Sequence, residues 1–207
     1  MTVAGYSSRY ADPDAIAFRQ LELVRRWGPA PPEGARILEL GCADGLVTTH
    51  LARAGYRVTA VDHSPEMLMA ARERLERLEL HARFALADVN ELLPTQRYDV
   101  TLACMRSFFA YAQDPDAVLG RLAMCTRQKI IVDVNPRTSR LREAVAALAA
   151  AGFSNVARRA LFVPQHVAVG AGARRLLECA ELVPLVREAV LRRKFLVALK
   201  GEMHAAG

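Results

Sequence analysis

The chain predicts an α/β fold built on a doubly wound, mainly parallel sheet, and three observations carry that expectation. An apolar run, Ile37-Leu38-Glu39-Leu40, enters a glycine turn, Gly41-Cys42-Ala43-Asp44-Gly45, and a helical pattern follows. A second run, Val58-Thr59-Ala60-Val61, ends in an acid, Asp62, 21 residues after Gly41. Downstream, strand-length apolar runs keep alternating with helical segments, which demands right-handed crossovers and parallel pairing. The first two features form the half-site where nucleoside ligands lie across the carboxyl ends of the strands.

The elements follow in order. Ile16, Phe18, Leu21, Leu23, Val24 and Trp27 recur at helical spacing, so a helix is expected over 15–27, introduced by Asp12-Pro13-Asp14 and ended by Gly28-Pro29. Strands are expected over 36–40, 57–61, 82–87, 98–104 and 129–134, and helices over 47–54, 65–78 and 115–125. Ser64 reads as the N-cap of the second of these helices. Beyond Pro136 come a helix over 140–151 closed by Gly152, a strand over 156–163, a helical stretch over 174–190 and a strand over 194–200. Pro164, Gly170, Gly172 and Pro184 mark residues 164–191 as an element over the sheet edge, read as a lid. One domain is expected over 1–207: a helical cover (1–35), a ligand-binding core (36–136) and a C-terminal part (137–207).

A length of 207 residues suits a single domain with a sizeable core. No run approaches the roughly 18 apolar residues of a membrane span, and the polar, acid-containing start reads as neither signal nor transit peptide, so a cytoplasmic location is the default expectation. Cys42, Cys104, Cys125 and Cys179 are far apart and read as buried, reduced thiols. The five histidines lack metal-ligand spacing, and no metal is expected. Residues 1–136 are nearly neutral, with 16 basic and 17 acidic side chains, whereas 137–207 carry 12 and 5, so all the excess positive charge sits in the last third. Such a lobe suits an anionic substrate, a nucleic acid or a membrane surface; a solvated arginine-rich face is the plainer reading.

The turn itself selects among nucleosides. A dinucleotide's pyrophosphate rests on a helix N-terminus that glycines let it approach, but here the middle glycine is replaced by Ala43. Glu39 and Asp44 flank the turn, and carboxylates there repel a pyrophosphate while favouring a cation. S-adenosylmethionine has an ammonium, a sulfonium and no phosphate. These residues resemble the first two motifs of the class I S-adenosylmethionine-dependent methyltransferases, and the resemblance extends over about residues 36–136.

The resemblance implies a Rossmann-like seven-stranded sheet ending in an antiparallel hairpin, from which the helical insertion at 164–191 departs. It implies that Gly41 and Gly45 let the methionine portion lie against the backbone, and that Asp62 accepts hydrogen bonds from both ribose hydroxyls. His63 and Met67 stand where the family packs one adenine face, and Asp88 where it accepts from the adenine amine. Cys42, Ala43, Val89 and Cys104 complete the expected cofactor surface, with Glu39 orienting the glycine loop and Asp44 reaching the methionine ammonium. S-adenosylhomocysteine would be the product.

The acceptor pocket is expected over the ends of the fourth and fifth strands, with Arg106, Phe109, Tyr111, Asn135 and Arg137 at its floor and Tyr6 and Tyr10 as covers. The amino-methylating nucleic-acid enzymes of the family carry Asn/Asp-Pro-Pro-Tyr/Phe after the fourth strand. This chain has Ala103-Cys104-Met105-Arg106, which disfavours adenine-amine methylation. A base matters only for an acceptor of high pKa. His166, entering the lid, and Asp133, within an apolar strand, are the candidates; a structural role competes for each. The leading expectation is O-methylation of a small molecule, anionic or polyhydroxyl, such as a sugar. An RNA methyltransferase using the basic third ranks below it, since aromatics do not interleave with the basic residues, and nucleic acid is disfavoured as a partner. A cofactor-binding interaction protein without transferase activity is the third reading. Oligomeric state stays open, with a homodimer among the options.

Overall fold

The computed structural model describes residues 12–105, 108–135, 141–160, 172, 176, 179 and 197–203. Its elements run α1 (Pro13–Arg26), β1 (Arg36–Leu40), α2 (Leu46–Arg53), β2 (Arg57–Asp62), α3 (Pro65–Arg77), β3 (Arg83–Leu86) and β4 (Tyr98–Ala103). Then follow α4 (Phe108–Tyr111), α5 (Pro115–Cys125), β5 (Thr126–Val134), α6 (Leu141–Ala150), β6 (Ser154–Ala160) and β7 (Val197–Glu202). The seven strands form one sheet in the order β3-β2-β1-β4-β5-β7-β6. Pairings among β1 to β5 are parallel, while β7 is antiparallel to both β5 and β6. The expected doubly wound sheet and closing antiparallel strands are therefore present.

Alternation along the strands sends side chains to two cores. Leu38, Leu40, Ile130, Val132 and Val134 face Phe108, Leu119, Leu122 and Leu148 from α4, α5 and α6. Ile37, Val58, Ala60 and Ile131 face Leu23, Val24, Leu51 and Leu68 from α1, α2 and α3. Asp12, Ser64 and Asp114 cap α1, α3 and α5, each with a proline in the first turn.

Several features depart from the sequence reading: among them, β6 begins at Ser154 rather than 156, and β7 continues to Glu202 rather than 200. The strand β5 starts at Thr126 rather than 129, because Thr126 Oγ1 donates to Leu122 O (2.7 Å) and meets Thr101 Oγ1 (2.7 Å), carrying the chain straight from helix into the ladder. Polar Arg127-Gln128 hid that start. Lys129 is fully buried because its ammonium donates to Trp27 O (2.8 Å) and Pro29 O (2.7 Å), tying the end of α1 to the sheet. Burial lowers the Lys129 pKa to about 8 from its ordinary 10.5. The short α4 was also unforeseen. As for the proposed lid, Gly172, Leu176 and Cys179 are helical and exposed, and the rest of 161–196 lies outside the described residues. Cys179 thus departs from the buried-thiol expectation, while Cys42 and Cys125 are buried and Cys104 is half-buried. Among the described residues no helix is long and apolar enough to cross a membrane, and no cluster of three or more His, Cys, Asp or Glu could hold a metal.

Candidate active site

The carboxyl ends of β1, β2, β3 and β4 converge on the glycine turn. Gly41 N and Cys42 N both donate to Val61 O (2.8 and 3.0 Å), which pins the turn to β2. Gly41, Ala43 and Gly45 alternate in the left-handed region, with φ of 69°, 48° and 77°. That conformation strains a residue with a Cβ, and Ala43 is held in it because its N–H donates to Asp62 Oδ2 (2.8 Å). A Cβ on Gly45 would stand 2.7 Å from Ala71 Cβ, so this glycine permits α3 to pack against the start of α2. A Cβ on Gly41 would stand 2.8 Å from Met105 Cγ, so the side chain after β4 reaches over the turn.

Asp62 is buried at the end of β2, and besides Ala43 it accepts from Ser64 N at Oδ1 (3.0 Å); His63 Nδ1 lies 3.5 Å from the same oxygen. Each carboxylate oxygen accepts about two hydrogen bonds, so the two backbone donors fix the carboxylate's orientation and leave capacity on both oxygens. Ser64 itself caps α3, its Oγ accepting from Met67 N (3.2 Å). Met67 is buried, whereas His63 is largely exposed.

The two acids flanking the turn have different surroundings. Glu39 lies beneath it, buried, and Thr48 Oγ1 on α2 donates to its Oε2 (2.7 Å), so Glu39 joins β1 to α2. Burial, with smaller contributions from Asp62 and Asp44, raises its pKa to about 8 from 4.5 despite that hydrogen bond. Asp44 pairs with Arg74 of α3, which donates from Nη2 to Oδ2 (2.8 Å) and from Nε to the Asp44 carbonyl (2.8 Å).

The state of Glu39 makes folding pH-dependent. Between pH 4.5 and about 8 the unfolded chain has lost the Glu39 proton while the native protein keeps it, so the native state binds more protons and stability falls as pH rises. This contribution is fully present below 4.5 and is lost through pH 8. Urea unfolding should therefore show a smaller drop between pH 5 and pH 8 for Glu39→Gln than for the unmutated protein. Equal drops would place the Glu39 titration elsewhere.

Asp88 follows β3 and is exposed. Its Oδ1 accepts from both the backbone N and the side-chain Nδ2 of Asn90 (2.7 Å each). Ala87 N donates to Asp62 O (3.1 Å), so the loops holding the two acids are joined directly. Val89 is half-buried against the α4–α6 core. On the acceptor side, Asp133 is almost wholly buried and its Oδ1 accepts from Met105 N (3.0 Å) and Phe108 N (3.1 Å), bridging the β4–α4 connection. Cys104 lies nearby, and burial together with the Asp133 and Glu39 charges pushes its thiol well up. Phe109 meets Phe108 edge-to-face, with ring centroids 5.2 Å apart, and Tyr111 is exposed. Asn135, just past β5, is half-buried.

The structure thus gathers Glu39, Gly41, Cys42, Ala43, Asp44, Gly45, Asp62, His63, Met67, Asp88, Val89 and Cys104 around the ends of β1 to β4. Tyr6, Tyr10, Arg106, Arg137 and His166 lie outside the described residues. Sequence reasoning missed Thr48, Arg74 and Asn90; each is a polar residue in an ordinary helix or turn context, and only its long-range partner marks it.

Residues 37–129 match the family model described as methyltransferase domain. A ubiquinone biosynthesis O-methyltransferase of Xanthomonas axonopodis pv. citri is 29% identical over 129 residues, covering 61% of this chain and 52% of that protein. A magnesium-protoporphyrin O-methyltransferase of Rhodobacter capsulatus is 34% identical over 107 residues, covering 51% and 47%. The chain spans about half the length of these curated relatives. A crystal structure of magnesium protoporphyrin IX methyltransferase from Synechocystis PCC 6803 with bound SAM superposes with a TM-score of 0.62 at 16% identity, covering 92% of this chain and 76% of that one.

Proposed function

We propose that the chain, whose residues 37–129 match a methyltransferase-domain model, is a class I S-adenosylmethionine-dependent methyltransferase that transfers a methyl group from S-adenosylmethionine to an oxygen of a small, planar organic acceptor. One observation carries the cofactor assignment. Asp62, at the end of the second strand, is buried and oriented by two backbone amides beside a turn that lacks the middle glycine of a pyrophosphate site. That acceptor fits a nucleoside with free ribose hydroxyls, and a carboxylate at this place disfavours a phosphate.

When bound, S-adenosylmethionine supplies a methyl group activated by its sulfonium. The protein's own residues have three tasks. Asp62 takes the ribose hydroxyls with its remaining acceptor capacity, and Asp88 takes the adenine amine. Asp133 holds the connection between β4 and α4, and with it the helix that bears Phe109 and Tyr111, in place; positioning of the acceptor supplies most of the acceleration in a transfer of this kind. The proton on the acceptor oxygen needs a base only if its pKa is high. With Oδ1 of Asp133 engaged by two amides, His166 is the stronger of the two candidates, on sequence grounds alone.

A sugar acceptor, the expectation from sequence, gives way to a planar one. The named relatives act in ubiquinone biosynthesis and on magnesium protoporphyrin, and the described floor offers Phe109 and Tyr111. Incubating the protein with methyl-labelled S-adenosylmethionine and separate phenolic, porphyrin-carboxylate, sugar and RNA acceptors tests this. Label in a phenol or porphyrin carboxylate supports the reading; label confined to sugar or RNA overturns the acceptor class. Tight cofactor binding with no label in any acceptor would favour a cofactor-binding protein without transferase activity.

A further inference from the structure

Asn90 has every polar group engaged, and its partners are distant in sequence. Its backbone N and Nδ2 donate to Asp88 Oδ1 (2.7 Å each), and Nδ2 also donates to Tyr111 O (3.1 Å). Its Oδ1 accepts from Gln113 N (2.8 Å) and its carbonyl from Arg121 Nη2 (2.7 Å). One residue therefore joins the turn after β3 to the end of α4, to the α4–α5 connection at Gln113 and, through its carbonyl, to Arg121 of α5. Without it, an exposed aspartate on a loop would sample several rotamers and present either oxygen in many directions.

The consequence for Asp88 is specific. Two donors from the same residue hold Oδ1, while Oδ2 has no partner among the described residues. A carboxylate fixed by one oxygen offers the other as a pure acceptor, which rewards an amine and penalises a carbonyl presented at the same place. A freely rotating carboxylate would turn away from the carbonyl and discriminate little.

We propose that Asn90 is the positioning residue that sets base selectivity, locking Asp88 so that its open oxygen accepts from the 6-amino group of adenine. This rests on the cofactor reading above, in which Asp88 faces the adenine edge. Asn90 does not touch the reacting atoms; it acts through Asp88 and binds that acid's loop to the segment bearing Phe109 and Tyr111.

The test compares S-adenosylhomocysteine with S-inosylhomocysteine, in which an oxygen replaces the 6-amino group, by calorimetry on the full chain. The unmutated protein should prefer the adenine compound by roughly 10-fold or more, as expected for a hydrogen bond to a charged group. Asn90→Asp retains the acceptor for Gln113 N but loses both Nδ2 donations and sets a second carboxylate against Asp88. The preference should then shrink to about threefold or less. Asn90→Ala, which adds no charge, should shrink it in the same direction and serves if the first variant does not fold. A merely structural role would weaken both ligands equally and keep the ratio, and that outcome overturns the proposal for Asn90 alone. Failure of the unmutated protein to distinguish the two ligands would instead remove Asp88 from the adenine edge, and failure to bind either would remove the cofactor reading itself.

Discussion

Asp133→Ala should lower the unfolding free energy by about 3–5 kcal/mol in urea titrations, because it strands two backbone donors, each costing roughly 1–3 kcal/mol. Asp133 Oδ1 is the acceptor for both Met105 N and Phe108 N, and the residue is only 1% exposed, so water cannot readily replace it. Against a total stability of about 5–15 kcal/mol, that is a large fraction. Asp133→Asn keeps a carbonyl oxygen for the same two amides and should lose much less. The pair of variants also separates the two roles that the sequence left open for this acid. If Asp133→Ala is as stable as the unmutated protein while a well-folded Asp133→Asn has lost turnover, the carboxylate is a proton acceptor and the structural account of it fails.

Asp62→Ala should weaken S-adenosylhomocysteine binding by about 2–3 kcal/mol, the worth of hydrogen bonds to a charged group, or roughly 30- to 150-fold in dissociation constant. The loss has two sources. The ribose hydroxyls lose their acceptor, and Ala43, strained at a φ of 48°, loses the hydrogen bond that holds the turn in place. Calorimetry on Asp62→Asn distinguishes them, since an amide oxygen still accepts from a backbone N–H but the charge is gone. Unchanged affinity in a folded Asp62→Ala protein would take this residue out of the site.

Local patterns carried much of this structure in legible form. Apolar runs bounded by Gly28-Pro29, Gly41, Gly45 and Gly152 mark where chain direction changes, and the caps at Asp12, Ser64 and Asp114 follow from side chains that satisfy the first free N–H groups of a helix. The acid 21 residues after Gly41, Asp62, does end the second strand. What stayed hidden depends on contacts between distant residues. Lys129 reads as a strand-edge lysine until Trp27 O and Pro29 O, about 100 residues away, explain its burial. Asp44 reads as a ligand for a cation until Arg74, 30 residues on, is seen to hold it. Asn90 reads as a turn residue, since nothing in Asp88-Val89-Asn90 announces Tyr111, Gln113 and Arg121.

The central claim is that the β1–β2 end holds a cationic, phosphate-free nucleoside, and thermal unfolding in the presence of saturating S-adenosylhomocysteine or NAD tests it most directly. A ligand that binds only the native state raises the melting temperature according to its concentration relative to its dissociation constant. The account predicts a clear rise with S-adenosylhomocysteine and none with NAD. Equal stabilisation by both, or stabilisation by NAD alone, would contradict it and return the site to the dinucleotide enzymes.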